Sequence, residues 1–102
     1  MVTVALQGDL GKPRPALIVQ ADEFAAHPSV VLLPITSTLV DAPRLRPRVE
    51  PSAANGLTTV SQIMVDKVQS VARSKLGARI GTLEPAAMAL VERALATLLR
   101  LV

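Results

Sequence analysis

Short apolar runs bounded by proline, glycine and polar residues make up most of the chain, and they restrict the possible folds more than any other feature. Val2 to Leu6 alternates larger apolar side chains with Thr and Ala, and Ala16 to Val19 and Val30 to Ile35 are aliphatic runs. Runs of this length are typical of β-strands. Because 102 residues close only one hydrophobic core, we expect a single domain that spans residues 1–102.

The remainder of the chain continues this pattern with a few interruptions. Thr59 to Val71 is rich in Val, Ile and Thr and predicts a strand that bends near Lys67, and Leu76 to Thr82 predicts another strand. Asp22 to His27 favours one helical turn, because Asp is an acceptable N-cap. The pair Asn55-Gly56 predicts a turn.

The C-terminal segment has the periodicity of an amphipathic helix. Glu84-Pro85 favours a helix start, since proline is tolerated at the first helical position. Apolar residues then recur at steps of three and four residues: Met88, Val91, Leu95, Leu98 and Val102. About six strands and one terminal helix predict a mainly β (α+β) fold, in which the helix covers a small barrel or sandwich.

The composition argues against several kinds of chemistry. The chain has no cysteine, one histidine (His27) and singly scattered carboxylates, so we expect no disulfide, no metal site and no cofactor. Phe24 is the only aromatic residue, which leaves few platforms for stacking nucleobases. We also expect neither a signal peptide nor a membrane span. The lack of cysteine fits a reducing compartment, and we predict a cytoplasmic location.

The positive charges are unevenly distributed along the chain. The formal net charge is +3, yet residues 16–40 hold no Lys or Arg and the middle of the chain is basic. Arg44, Arg46 and Arg48 alternate with other residues, so an extended strand would place them on one face. Nearby prolines indicate an edge or irregular strand. The row either binds phosphates or protects an edge strand from aggregation.

Several short motifs follow one another in a specific order. Residues 11–19 are GKPRPALIV, residues 33–37 are LPITS, residues 56–57 are GL, residues 65–71 are VDKVQSV, and residues 74–77 are SKLG. Together with the amphipathic helix that follows, these motifs cover nearly the whole chain. In this order they resemble the motifs of the MazF/PemK family, whose members are ribosome-independent RNA interferases of toxin–antitoxin operons.

The resemblance implies a small SH3-like β-barrel with a C-terminal amphipathic helix, as in CcdB, PemK and MazF toxins. It further implies a homodimer that cleaves single-stranded mRNA at specific sequences without a metal ion, and an acidic, MazE-like antitoxin as partner. Two alternatives stay open. One is a non-enzymatic gyrase poison like CcdB, although this chain lacks the C-terminal Trp-Gly-Ile of those toxins. The other is an inactive barrel that only binds RNA or an antitoxin.

Three residues in the matching motifs are candidates for catalysis. Arg14, between two prolines, either stabilises the charge of a phosphorane with its guanidinium or is an exposed turn residue. Thr36 ends an apolar strand, where its hydroxyl either donates to a phosphate or closes a turn. Asp66 either takes the proton of the 2′-hydroxyl, or anchors a loop, or pairs with Lys67 or Arg73.

Other residues are candidates for RNA binding. They are basic or hydroxyl-bearing side chains: Lys12, Ser37, Arg44, Arg46, Arg48 and Lys67. Within the motif around Asp66, Lys67 stands where the family has Gln, and Met64 stands where some members have Arg. His27 is expected at the surface without a catalytic role, because the familiar histidine mechanism of ribonucleases needs two imidazoles.

Overall fold

In the computed structural model, which describes residues 2–7, 13–20 and 26–101, seven strands precede one helix. The elements are β1 Val2–Gln7, β2 Pro13–Ile18, β3 Ser29–Thr36, β4 Arg48–Val49, β5 Ser61–Ile63, β6 Gln69–Ala72, β7 Leu76–Thr82 and α1 Pro85–Leu98. The helix begins at the predicted proline. The predicted helical turn at residues 22–27 lies almost wholly outside the described residues.

The strands form one curled, half-barrel sheet. Its order is β4-β5-β3-β2-β1-β7, and β6 pairs with β3 beside β5. The pairing of β1 with β7 changes register on both sides of Val4. Such irregularities increase the local twist, which helps the sheet to curl. The mainly β architecture with a C-terminal helix confirms the predicted fold class.

The predicted bend near Lys67 is confirmed as a 3₁₀ turn, Val65–Lys67, between β5 and β6. Both strands pair antiparallel with β3: Ile63 lies opposite Ile35, and Val71 lies opposite Val30. Between the two pairings the register shifts by three residues, which is the length of the turn. Residues 59–71 therefore do not pair with β3 as one continuous strand in a single register.

The main core lies between one face of the sheet and α1. It contains the inward side chains of β2, β3 and β5, together with Val91 and Ala94 of the helix. Met88 and Leu95 pack against this cluster, whereas Leu98 is 37% exposed. The apolar periodicity predicted Leu98 on the buried face of α1. In the structure Ala94 is buried there, and Leu98 is not. No helix among the described residues has the length and apolar character needed to cross a membrane.

A second, smaller apolar cluster lies on the opposite face of the sheet. It contains Val4, Ala16 and Leu32, with Leu6 and Val71 among the partly buried residues packed against it. The two clusters arise because successive strand residues point to opposite faces, so Ala16 and Leu17 belong to different clusters. The candidate functional site continues this second cluster.

The predicted edge or irregular strand that carries the three arginines is much shorter than expected: it is limited to β4, at the edge of the sheet, and residues 43–45 form a turn. Only Arg48 and Val49 are in a strand, and the Ala42 carbonyl accepts hydrogen bonds from the N–H groups of Leu45 and Arg46. The prolines of this segment lack N–H donors and so cannot sustain a strand ladder. The three arginines therefore do not share one strand face.

Candidate active site

Strand pairing brings Arg14 and Thr36 to the same face of the sheet. Ala16 on β2 pairs with Pro34 on β3, and the same register continued by two residues places Arg14 opposite Thr36. Both side chains therefore point to the side of the second apolar cluster. Pro13 and Pro15 restrict the backbone on both sides of Arg14, so the position of the guanidinium is partly fixed before any ligand binds.

Both residues line a cleft that we call the Arg14 cleft. It has a volume of about 280 Å³, and its polar or charged lining residues are Arg14, Thr36, Gln69 and Lys75. Leu6 and Val71 from the second apolar cluster contribute to its walls. No described carboxylate lines this cleft, so its electrostatic character favours an anion.

A second cleft lies beside the first, and Arg14 and Thr36 line both of them. Its lining is rich in hydroxyl groups from Thr36, Ser37, Thr58, Thr59 and Ser61. The Thr36 Oγ1 accepts a hydrogen bond of 3.0 Å from the Thr38 N–H. This contact occupies a lone pair and leaves the Thr36 hydroxyl proton available to a ligand.

The loop that carries Thr58 and Thr59 is held by a hydrogen-bond network centred on Asn55. The buried Asn55 amide donates to Glu84 Oε1 at 2.9 Å and to the Glu50 carbonyl at 2.9 Å, and its oxygen accepts from the Leu57 N–H. Ser52 Oγ donates to the other oxygen of Glu84. These two donors lower the pKa of Glu84. The network ties the start of α1 to the wall of the second cleft.

Gly56 completes the predicted turn and is conformationally required. Its φ of +72° is in the left-handed region, and an added Cβ would lie 1.9 Å from the Ile80 carbonyl oxygen. A side chain at this position would therefore both strain the turn and displace β7.

Asp66 forms an ion pair with Arg46. Arg46 Nε donates to Asp66 Oδ1 at 2.8 Å and Nη2 donates to Oδ2 at 3.1 Å, a bidentate arrangement. The Arg46 hydrogen bonds lower the pKa of Asp66, and the same contact raises the pKa of Arg46. Asp66 does not line either cleft around Arg14 and Thr36. The ion-pair partner of Asp66 in the structure is thus Arg46 rather than Lys67 or Arg73.

The three arginines line a different concavity, which lies between residues 40–48 and α1 and which we call the α1 groove. This groove has a volume of about 560 Å³ and is lined by Arg44, Arg46 and Arg48, together with Leu90 and Arg93 of α1. Arg48 Nε lies 3.7 Å from a Glu50 oxygen, and both side chains are mostly exposed. Arg44 and Arg48 therefore present their charge at the rim, separate from the Arg14 cleft.

The remaining predicted residues are dispersed. Ser37 lies in the hydroxyl-rich cleft, and Lys67 is exposed in the 3₁₀ turn outside both clefts. Lys12 lies outside the described residues. His27 is exposed, as expected, and its Nδ1 accepts from the Ser29 N–H.

Sequence reasoning missed Gln69 and Lys75, which line the Arg14 cleft. Lys75 belongs to the SKLG motif, but only the pairing of β7 with β1 shows that this motif approaches Arg14. The available signal was a cation directly before a predicted strand.

Comparisons with known proteins agree with this geometry. The family model of PemK-like, MazF-like toxins of type II toxin–antitoxin systems matches residues 1–99. A protein named probable endoribonuclease MazF, from Mycolicibacterium smegmatis, is 52% identical over 85 residues, which are 83% of this chain and 78% of that protein.

Solved structures show the same fold. The Mycobacterium tuberculosis toxin MazF-mt6 superposes with a TM-score of 0.85 at 27% identity, covering 98% of this chain and 97% of that chain. An endoribonuclease from a mycobacterial species, solved in complex with its cognate antitoxin, has a TM-score of 0.80 at 28% identity, with coverages of 98% and 93%.

A curled sheet closed by a C-terminal helix, with a cationic cleft on its outer face, defines a small toxin of the SH3-like barrel class. Both the family match and the identity to a relative extend over most of the chain. The chain belongs to the PemK-like, MazF-like toxins of type II toxin–antitoxin systems.

Proposed function

We propose that the chain is an endoribonuclease toxin that cleaves single-stranded mRNA at specific sequences, in the cytoplasm and without a metal ion. The observation that carries this proposal is the placement of Arg14 and Thr36 together in a cleft that no described carboxylate lines. Membership in the toxin family and 52% identity with a probable endoribonuclease support it. These comparisons favour RNA cleavage over a CcdB-like gyrase poison.

The proposed reaction is attack of a 2′-hydroxyl oxygen on the adjacent phosphorus. A P–O2′ bond forms, the P–O5′ bond breaks, the 2′-proton passes to a base and the leaving 5′-oxygen gains a proton. The pentacoordinate phosphorane carries more negative charge than the starting diester. Arg14 stabilises this charge through paired N–H donors, and the Thr36 hydroxyl donates to a phosphate oxygen or to the leaving oxygen.

Asp66 as the base that takes the 2′-proton stays a prediction, and two observations weigh against it. Its carboxylate is bound by Arg46 at 2.8 and 3.1 Å, and its lowered pKa makes it a weaker proton acceptor. A positioning role, in which the ion pair holds the loop at residues 42–47 against the 3₁₀ turn, fits the geometry better.

A cleavage assay tests the proposal directly. Purified protein is incubated with a long single-stranded RNA, and with the same sequence as a duplex, in the presence of EDTA. We expect cleavage of the single strand at one or a few sequences, with the duplex intact. RNA that is bound but stays intact would instead indicate an inactive barrel. Gyrase inhibition without RNA cleavage would indicate a CcdB-like poison.

We also propose an acidic antitoxin as the protein partner of this chain. One structural relative was solved in complex with its cognate antitoxin. In this chain, the α1 groove combines an apolar wall that includes Leu90 with the cations Arg44, Arg48 and Arg93. Such a surface fits an amphipathic segment that carries carboxylates, and binding should weaken as salt is added.

The toxin is further proposed to be a homodimer. Most of the described apolar stripe of α1 packs in the core, but leucines at and beyond the C-terminal end of the helix are exposed: Leu98, Leu99 and Leu101 are 37%, 57% and 74% exposed. Exposed aliphatic side chains concentrated in one region mark an association surface.

Light scattering at micromolar concentration should give twice the chain mass for the wild type. Leu98→Asp with Leu101→Asp should shift the mass to that of a monomer, because two carboxylates would be buried in the interface. Val68→Asp, which adds one charge at an exposed site outside α1, is the control. A monomeric wild type would refute the dimer.

A further inference from the structure

Lys75 is a second cation in the Arg14 cleft. It is the last residue of the 3₁₀ turn Arg73–Lys75, directly before β7, and it lines the cleft together with Arg14 and Thr36. Neither of the two ion pairs found among the described residues involves Lys75. Its ammonium group is therefore available to an anion in this cleft.

The strand pairing sets the spacing between the two cations. Leu76, next to Lys75, lies opposite Leu6 of β1, and Leu6 lies opposite Arg14 of β2. Two strand spacings separate the backbones of Leu76 and Arg14 by roughly 10 Å. Leu6 lies between them in the cleft. Long Arg and Lys side chains can approach one phosphate from opposite sides across such a gap.

The turn that carries Lys75 is anchored by its first residue, Arg73. The Arg73 N–H donates to the Pro28 carbonyl at 2.8 Å, and Arg73 Nε donates to the His27 carbonyl at 2.8 Å. The Leu76 N–H closes the turn on the Arg73 carbonyl. Arg73 thus has a structural role, and it fixes the backbone from which Lys75 extends.

We propose that Lys75 contacts the scissile phosphate opposite Arg14, so that a guanidinium, a hydroxyl and an ammonium surround one phosphate. This inference rests on the proposed endoribonuclease function. The phosphorane gains negative charge relative to the diester, and a cation aimed at that charge stabilises the transition state more than the ground state. Arg14 provides paired, planar donors, whereas Lys75 provides a point charge that follows the phosphate as its geometry changes.

Single-turnover cleavage at saturating enzyme, together with binding of an uncleavable 2′-deoxy strand, tests the role of Lys75. Removing one transition-state donor typically costs about 10²–10³ in rate. For Lys75→Met we expect at least a tenfold loss of cleavage rate and a smaller change in affinity. Lys75→Arg should recover most of the rate. Arg79→Met removes the same charge from β7 outside the cleft and should cleave like the wild type, with unfolding midpoints measured for all variants.

Two outcomes would overturn the inference while leaving the proposed function intact. One is a Lys75→Met enzyme that cleaves as fast as the wild type. The other is an equal loss in Lys75→Arg, which would indicate a requirement for the lysine's shape rather than its charge.

If the wild type itself does not cleave RNA, the proposed function fails and phosphate binding decides the inference separately. Inorganic phosphate is then titrated while the amide NMR signals of Leu6 and Leu76 are recorded. Shifts in the wild type that disappear in Lys75→Met would support a phosphate site at Lys75. Equal shifts in both proteins, or no shifts in either, would refute it.

Discussion

A guanidinium held between two prolines is the residue on which the proposed chemistry depends most. Arg14 is exposed at the start of β2 and contributes little to either apolar cluster. Its neighbours Pro13 and Pro15 limit the conformations of its backbone, so less conformational entropy is lost there when a ligand binds. A substitution of Arg14 should therefore change the rate of the reaction without changing the stability of the fold.

Arg14→Ala should reduce the cleavage rate by about 100-fold or more, on the scale of losing one transition-state donor. The unfolding midpoint in urea should stay close to that of the wild type, because the side chain is exposed. Thr36→Val should reduce the rate less, because it removes a single donor and keeps the shape of the side chain. Wild-type cleavage by a folded Arg14→Ala protein would rule out the assignment.

Residue roles that depend on long-range pairing could not be predicted from the sequence. Arg14 and Thr36 were found through their motifs, and the structure places them together. The partner of Asp66 was not found, because Arg46 is twenty residues away and approaches only after the segment around Pro43 has turned. The alternation of arginines and the nearby prolines predicted an edge or irregular strand, of which only Arg48 and Val49 form a strand.

At the scale of elements, local periodicity predicted most of the strands and the helix. Strands β1, β3 and β7 and the start of α1 all lie close to their predicted positions. A change of parity near Lys67 predicted a bend in the strand over residues 59–71, and the structure divides this segment there into β5 and β6. The size of the interruption could not be predicted, because the three-residue register shift depends on how both strands pair with β3.

We expect the stability of the junction between α1 and the loop at residues 50–57 to depend on pH. Hydrogen bonds from Ser52 and Asn55 lower the pKa of Glu84. A carboxylate whose folded pKa lies below its unfolded value stabilises the fold above the unfolded pKa, about 4.3 for Glu. This contribution is lost as the pH falls through the folded pKa.

Glu84→Gln should therefore be less stable than the wild type at pH 7, and the difference should narrow as the pH falls below about 4. Urea unfolding midpoints at pH 7, 5, 4 and 3 measure the difference. Glu92→Gln, which removes the same charge from the exposed side of α1, is the matched control. A stability gap that stays constant from pH 7 to pH 3 would show that the Glu84 carboxylate contributes through shape and not through charge.

At the scale of the whole molecule, two separate concavities are lined by cations. Arg14 and Lys75 lie in the Arg14 cleft, whereas Arg44 and Arg48 lie at the rim of the α1 groove. Arg46 is already neutralised by Asp66. This division predicts that chemistry depends on the first pair of cations and that general attraction of RNA depends on the second.

Replacing Arg44 and Arg48 with Gln should accordingly weaken binding to every single-stranded sequence alike and leave the cleavage rate of saturated enzyme nearly unchanged. Each lost phosphate contact should reduce the slope of log affinity against log salt by about 0.7, so the double variant should flatten it by about 1.4. Binding of an uncleavable 2′-deoxy strand at several salt concentrations measures the slope. Arg46→Gln should instead lower the unfolding midpoint, because it leaves Asp66 without its partner. An unchanged slope in the double variant would mean that Arg44 and Arg48 only keep the groove rim solvated, and RNA would then be held by the Arg14 cleft alone.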